Sequence, residues 1–244
     1  MSNAELPEWE QVLSSAARLQ GIPPNAVLVG GTASALCAQH RYSHDADHIL
    51  GDLKSRFDAI LAQMESVAGW KTARINRPVQ ILDSLDGIET GIRQLIRQKP
   101  LETATIEFRG HKITVPTEAE ILRIKAALIL KRNATRDYLD FVALATHLGD
   151  EKAAAALTNF DQLYPQPNDE SALQQLQIQL ANPMPYDLDQ TQLSQYKQLD
   201  AKWHDWARVK AVCAQLAIAI FDRSAKPPAS REQTLPSIDR PEKE

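Results

Sequence analysis

Cysteine is nearly missing from this chain: Cys37 and Cys213 are the two in 244 residues, far apart and each in an apolar helical context. Such a pair offers no disulfide framework, and the expectation is two buried free thiols in a reducing compartment. No C-x-x-C pair or local cysteine–histidine cluster signals zinc. Long hydrophobic runs are missing too. The longest candidate, Val209 to Phe221, carries Lys210 and Gln215 and falls short of a membrane span. The N-terminus is polar and acidic, without the apolar segment of a secretory leader. A cytoplasmic protein with no membrane association is therefore expected. Excess positive charge is also lacking: 27 Lys and Arg stand against 31 Asp and Glu, a net charge of -4. That excludes a protein that coats nucleic acid through bulk charge, while a local basic face stays open. No internal repeat is visible.

What is present suits a globular chain. Hydrophobic residues make up 43% of the sequence, enough for a sizeable core in one large domain or two small ones. Glu8 to Gln20 reads as a helix with Pro7 before it and Gly21 after it. Short strand-like runs follow at Val27–Val29, at Asp45–Leu50, at Trp70–Ile75 and at Val79–Leu82. A helix capped by Asp52 is expected to run to about Val67. Asp83-Ser84 and Asp86-Gly87 read as turns, and Ile88 to Ile96 fits either a strand or a helix. Thr105 to Val115 alternates around Arg109-Gly110 and predicts a β-hairpin.

Beyond it the pattern becomes helical. Thr117-x-x-Glu120 is a capping box before a helix to Arg132. Further helices are expected at Arg136–Leu148, Asp150–Leu163, Asp169–Leu180 and Ala201–Arg223, with Trp203 and Trp206 packing in the core. Ser224 to Glu244, rich in proline and charge, reads as a disordered tail. Strands confined to the first half and helices to the second predict an α+β fold. Residues 1–116 would form a mixed sheet with flanking helices. Residues 117–223 would form a C-terminal helical domain that completes the site, and 224–244 the tail.

The stretch from Val27 to Leu50, VLVGGTASALCAQHRYSHDADHIL, carries the chemistry. A buried strand leads into Gly30-Gly31-Thr32 and a helix of small residues to His40. After Arg41-Tyr42-Ser43-His44 comes Asp45-Ala46-Asp47. On a strand, positions i and i+2 share a face, so Asp45 and Asp47 project together toward the glycine turn. Two carboxylates beside backbone N–H groups at a helix start can hold Mg²⁺ and a triphosphate at once. Asp187-Leu188-Asp189 repeats the D-x-D spacing without a glycine turn. His44 and His48 flank the aspartates and are expected to be structural, because Mg²⁺ prefers oxygen ligands.

On the helix from Glu118, Lys125 lies within the stripe of Ile121, Ile124 and Leu128, and Arg132 is seven residues on. Lysine is rarely buried without a partner, so Lys125 either snorkels outward or meets phosphate charge. Asp137 and Asp140, one turn apart on the next helix, could equally serve the helix dipole and local ion pairs.

Gly30-Gly31-Thr32-Ala33, followed by Arg41-x-Ser43-x-Asp45-x-Asp47, resembles the signature of the AbiEii/AbiGii toxin family within the DNA polymerase β-like nucleotidyltransferase superfamily. Lys125-x6-Arg132-x3-Arg136-Asp137-Tyr138-x-Asp140 resembles the family's second motif, with Arg136 where lysine is usual and Phe141 where leucine is usual. The likeness covers about Val27 to Leu148.

It implies transfer of a nucleoside monophosphate from an NTP to a hydroxyl on tRNA or protein. Asp45 and Asp47 would hold Mg²⁺, with Mn²⁺ as an alternative, and Gly30, Gly31 and Thr32 would cradle phosphates. Arg41 and Ser43 would shape the turn or touch phosphate. Lys125, with Arg132, would meet the nucleotide phosphates, and Asp137 would complete the site. A third carboxylate is expected on a later strand; Glu89 is nearest the expected place, with Asp83 and Glu107 as other candidates and Gly91 as the residue that would leave it missing. The resemblance also implies the toxin half of a toxin–antitoxin or phage-defence pair, often beside a helix-turn-helix antitoxin. Three other readings remain: a small-molecule nucleotidyltransferase, a non-catalytic nucleotide-binding module, and a helical interaction protein in which Asp45 and Asp47 lie far from Lys125.

Overall fold

The first half folds into a five-stranded mixed sheet; the computed structural model describes residues 8–225. Its strands are β1 (Val27–Leu28), β2 (Asp45–Leu50), β3 (Trp70–Asn76), β4 (Gln80–Leu85) and β5 (Ile88–Gln94), in the order β1-β2-β5-β4-β3. β2 and β5 run parallel, and the other neighbouring pairs run antiparallel. β6 (Thr103–Phe108) and β7 (His111–Pro116) form the expected hairpin, a separate two-stranded sheet. Its turn places Arg109 and Gly110 at φ 48° and 79°, a left-handed region that glycine tolerates best.

The pleat sorts the large sheet into two faces. Ala46, His48 and Leu50 align with Thr90, Ile92, Asp83 and Ile81 on one of them. α1 (Glu8–Gln20) and α3 (Leu53–Glu65) cover that face with Val12, Leu13, Ala16 and Leu19, and with Phe57, Ile60, Leu61 and Met64. Each fully buried aliphatic side chain there contributes about 1.5–3 kcal/mol. The other face carries Asp45, Asp47, Glu89, Gly91 and Arg93.

Two local expectations change here. Asp83 and Ser84 are not turn residues but extend β4 to Leu85, and the ambiguous run from Ile88 resolves as β5. β5 is held between β2 and β4, so pairing on both edges decides what local pattern left open.

The helices of the second half are α4 (Glu118–Arg132), α5 (Thr135–Leu148), α6 (Asp150–Ala156), α7 (Phe160–Leu163), α8 (Ala172–Ala181) and α9 (Trp206–Ala225). The capping box is half formed: the Glu120 N–H donates to Thr117 Oγ1 at 3.2 Å, while the buried Glu120 carboxylate turns to Arg97 and Arg123. The single helix expected over 150–163 is broken, with Leu157 and Phe160 both turned into the core at the break. The last helix likewise begins at Trp206, because Asp205 Oδ1 accepts from the Ala207 N–H; Ala201–Trp203 is a separate 3₁₀ turn.

Trp203 is buried as expected, and Trp206 packs edge-on against Tyr138. The largest core joins α4, α5, α6, α8 and α9 to Val29 and Ala33 from the first half, the latter on α2 (Gly30–Ala38). Cys213 is buried, Cys37 half-buried, and both are free thiols. Among the described residues no helix is long and apolar enough to cross a membrane. α9 includes Ser224 and Ala225; the remainder of the expected tail lies outside the described residues.

Candidate active site

The glycine pair brings the D-x-D strand against the start of α2. Helix α2 begins at Gly30 rather than Thr32, and Gly30 has a φ of +72°. A Cβ on Gly30 would stand 3.5 Å from the Asp47 Cβ. A Cβ on Gly31 would sit 2.5 Å from Arg41 Nη2 and 2.7 Å from Ser43 Oγ, closer than atoms can pack. The two glycines therefore permit a left-handed start and a close approach by the motif that follows. Thr32 is fully buried and its hydroxyl donates to the Asp45 carbonyl, so it pins strand to helix. Ser43 donates its hydroxyl to the Asp45 carboxylate.

The two aspartates differ electrostatically. Burial alone would raise the Asp45 carboxyl, but the Ser43 hydroxyl, Lys197 and Arg41 hold it below its ordinary value. Burial pushes Asp47 up and the Asp45 charge adds to this, while Arg93, Lys125 and Arg136 pull the other way. Cations from β5, α4, α5 and the loop before Leu199 thus converge on one pair of carboxylates. Lys125 and Asp47 are brought together, which removes the reading of a coincidental D-x-D.

Asp140 is the centre of a second, fully buried cluster. Arg41 donates through Nε and Nη2 to its two oxygens at 2.7 and 3.0 Å, and His40 Nε2 lies 2.7 Å from Oδ1. The Lys125 ammonium lies 2.7 Å from Asp140 and 3.9 Å from Asp137. Burial works against the Asp140 charge, yet Arg41, Lys125 and His40 hold its carboxyl well below the usual range. Asp137, also fully buried, takes a two-pronged contact from Arg132, with Nη2 at 2.7 Å.

Arg41 and Arg132 are therefore directed at aspartates in this cluster. Lys125 is nearly fully buried, pairs with Asp140, and its charge also acts on Asp47. Two backbone bonds close the 197–200 loop over this region, from Tyr42 N to the Lys197 carbonyl (3.1 Å) and from Asp200 N to the His40 carbonyl (2.8 Å).

The candidates for a third carboxylate separate cleanly. Glu89 is in parallel register with Asp45 on the same face, exposed, and one strand away. Gly91 is the partner of Asp47, where a Cβ would meet Leu82 Cδ2 at 2.9 Å. Asp83 aligns with Thr90 and Ala46 on the covered face. Neither of its oxygens has a hydrogen-bond partner among the described residues, and burial, with the Asp47 charge added, pushes it up to about 8. Glu107 stands opposite Lys112 in the separate hairpin.

Asp187 of the second D-x-D has a structural use: Oδ1 accepts from the Thr135 N–H and hydroxyl, both at 2.7 Å, at the start of α5. His44 pairs with Glu8. His48 is buried on the covered face and lowered to about 4 by burial, its Nδ1 2.8 Å from the Ala46 carbonyl.

Arg93, Lys197 and the central part played by Asp140 were not anticipated. Period-2 alternation from Glu89 to Gly91 points to Arg93, but only once the segment is known to be a strand. Lys197 lies in an irregular loop at a φ of 41°, with no pattern to mark it.

Comparison with known proteins yields partial relatives and distant likenesses besides a family. Over 131 residues, 52% of this chain, it is 34% identical to the heme uptake protein MmpL11 of Mycobacterium tuberculosis. Over the same length it is 30% identical to the mycolic acid-containing lipids exporter MmpL11 of Mycolicibacterium smegmatis. The chain spans 13% of the length of these curated relatives.

Among solved structures it is similar to JHP933 from Helicobacter pylori, at 15% identity and a TM-score of 0.48 over 88% of this chain and 91% of that one. It is also similar to the antibiotic-resistance factor ANT(2'')-Ia, at 12% identity and a TM-score of 0.47, over 63% and 91%. The sequence model described as "Nucleotidyl transferase AbiEii toxin, Type IV TA system" matches residues 11–219. That match covers nearly the whole described chain, and the protein belongs to this family of nucleotidyltransferase enzymes.

Proposed function

We propose that this enzyme moves a nucleoside monophosphate from an NTP to a hydroxyl on tRNA or protein, with Mg²⁺ held by Asp45 and Asp47 and Mn²⁺ as a substitute. The observation that carries this reading is the paired carboxylates on one strand face, against the glycine start of α2 and ringed by Arg93, Lys125, Arg136 and Lys197. The donor set fits the ion. It is all oxygen, as Mg²⁺ requires, and the Asp47 carboxylate accepts no hydrogen bond among the described residues. Asp45 and Asp47 would hold the ion, and it would supply positive charge that offsets the negative charge building during transfer.

The chain's own residues supply the rest. The first N–H groups of α2, freed of a Cβ at Gly30 and Gly31, offer an anion site beside the carboxylates. Lys125, oriented by Asp140 and Asp137, presents an ammonium to the pyrophosphate leaving group. Arg93, Arg136 and Lys197 provide a local basic rim that suits a polyanionic acceptor such as tRNA despite the net negative charge. Glu89, the exposed carboxylate in register with Asp45, takes the proton of the acceptor hydroxyl. The acceptor oxygen bonds to the α-phosphorus, the bond to the bridging oxygen breaks, and pyrophosphate departs. A cytoplasmic setting and a helix-turn-helix antitoxin partner complete the proposal.

The test is incubation with each α-labelled NTP and Mg²⁺ in the presence of total tRNA and a protein extract, beside the Asp45→Ala/Asp47→Ala variant. A labelled product that disappears in the variant is expected, and its size reports whether RNA, protein or a small molecule is the acceptor. Label that persists undiminished in the double variant would refute the assignment of these aspartates.

A further inference from the structure

Folding assembles a second set of ligand-type side chains that no local pattern announces. Cys37 stands near the end of α2, Glu118 opens α4, and His147 lies in the last turn of α5. The thiol sulfur, one carboxylate oxygen and one imidazole nitrogen lie within 4.8 Å of one another. His147 Nε2 is already 3.2 Å from Glu118 Oε1. Ligands around a tetrahedral zinc ion are about 3–4 Å apart, so small side-chain rotations bring all three onto one ion.

The helix macrodipole accounts for Glu118 at a helix start and His147 at a helix end, and an exposed pair of this kind contributes little. Neither consideration accounts for a cysteine beside them. The thiol is half-buried, whereas the Glu118 and His147 side chains are 57% and 44% exposed, so the cluster is open to an ion from solvent.

We propose that Cys37, Glu118 and His147 form a binding site for a zinc-class divalent cation, with water in the fourth position. One thiolate, one imidazole and one carboxylate form a ligand set that selects a borderline-soft ion over Mg²⁺. Without an ion, burial and the neighbouring Glu118 push the Cys37 thiol up to about 11. Coordination reverses that balance, and the thiol proton is released to solvent as the sulfur–metal bond forms. This site is distinct from the D-x-D cradle: Cys37 is seven residues along α2 from Gly30, about 10 Å at 1.5 Å per residue. A bound ion ties the far end of α2 to α4 and α5, the helices that carry Lys125 and Asp140.

The experiment uses the full chain, treated with chelator, desalted and titrated with Co²⁺. A thiolate-to-cobalt charge-transfer band in the near ultraviolet is expected, and addition of Zn²⁺ should bleach it. The band should vanish in Cys37→Ser and persist in Cys213→Ser and in Asp45→Ala/Asp47→Ala. His147→Ala changes an exposed side chain and keeps the fold, so it tests the site even if Cys37→Ser misfolds. It should weaken Co²⁺ binding by at least about tenfold, because even partners outside the ligand set cost that much. No band in the unaltered chain, a band that survives Cys37→Ser, or unchanged affinity in His147→Ala would each overturn the proposal.

Discussion

Asp45 and Asp47 share the face of a strand; Asp137 and Asp140 lie one turn apart on α5. The first pair is partly open, and the cations around it act on Asp47 without closing its carboxylate in hydrogen bonds. The second pair has no exposed surface, and each carboxylate is met directly by guanidinium or ammonium groups. The contrast teaches that four aspartates in two motifs divide the labour. Under the proposed function, the open pair leaves charge available for the metal ion. The closed pair fixes the directions of Arg41, Arg132 and Lys125.

That division can be broken most forcefully at Asp140. Asp140→Asn leaves Arg41 and Lys125 buried without a full counter-charge and should lower stability by about 3–5 kcal/mol in a denaturant titration. Asp47→Asn should do the opposite and raise stability slightly, because burial already disfavours its charge. Equal losses from both substitutions would erase the distinction between the pairs.

Next in size is Glu89→Gln, which tests whether the open pair has a third member. Turnover should fall about a hundredfold, the lower end of a general-base effect, with little change in the KM for NTP. Unchanged turnover would return the proton-accepting part to another group.

The most gradual effect, spread over several pH units, concerns Asp83, directly behind the open face. Its carboxyl is raised to about 8 in the folded chain against about 4 when unfolded, so the folded state holds the extra proton between those values. The stability it contributes is complete below about pH 4 and is lost as pH rises toward 8, by up to about 1.4 kcal/mol per pH unit. Asp83→Asn should therefore gain on the unaltered protein steadily from pH 4 to 8 in thermal melts. A difference that does not vary with pH would show that Asp83 stays ionised.

Much of this was legible beforehand because it rests on local chemistry. The helix from Glu8, the D-x-D strand after a glycine turn, the hairpin at Arg109-Gly110 and the helix break at Asn133 all follow from backbone preferences that the residues themselves impose. The α+β order followed from the same signals. Less legible were features decided by distant partners. Glu120 leaves its half of the capping box because Arg97 and Arg123 are buried beside it. Asp140 outranks Asp137 as the centre of charge because the chain returns Arg41 to it from 99 residues away. Asp83 reads as a turn residue until β5 pairs beside it.

The same separation has a consequence for the chain during its synthesis. When a growing polypeptide has emerged only as far as β7, it already carries the glycine turn, Asp45, Asp47 and Glu89. It lacks Lys125, and Arg41 and His40 have no Asp140 to hold them. Contacts of this sequence separation form only after the intervening chain is available, and the loop that brings Lys197 comes later still. Under the proposed function the site is thus incomplete until Lys125, Asp140 and the 197–200 loop have been made, so a copy cut short before α4 would carry the signature without the activity.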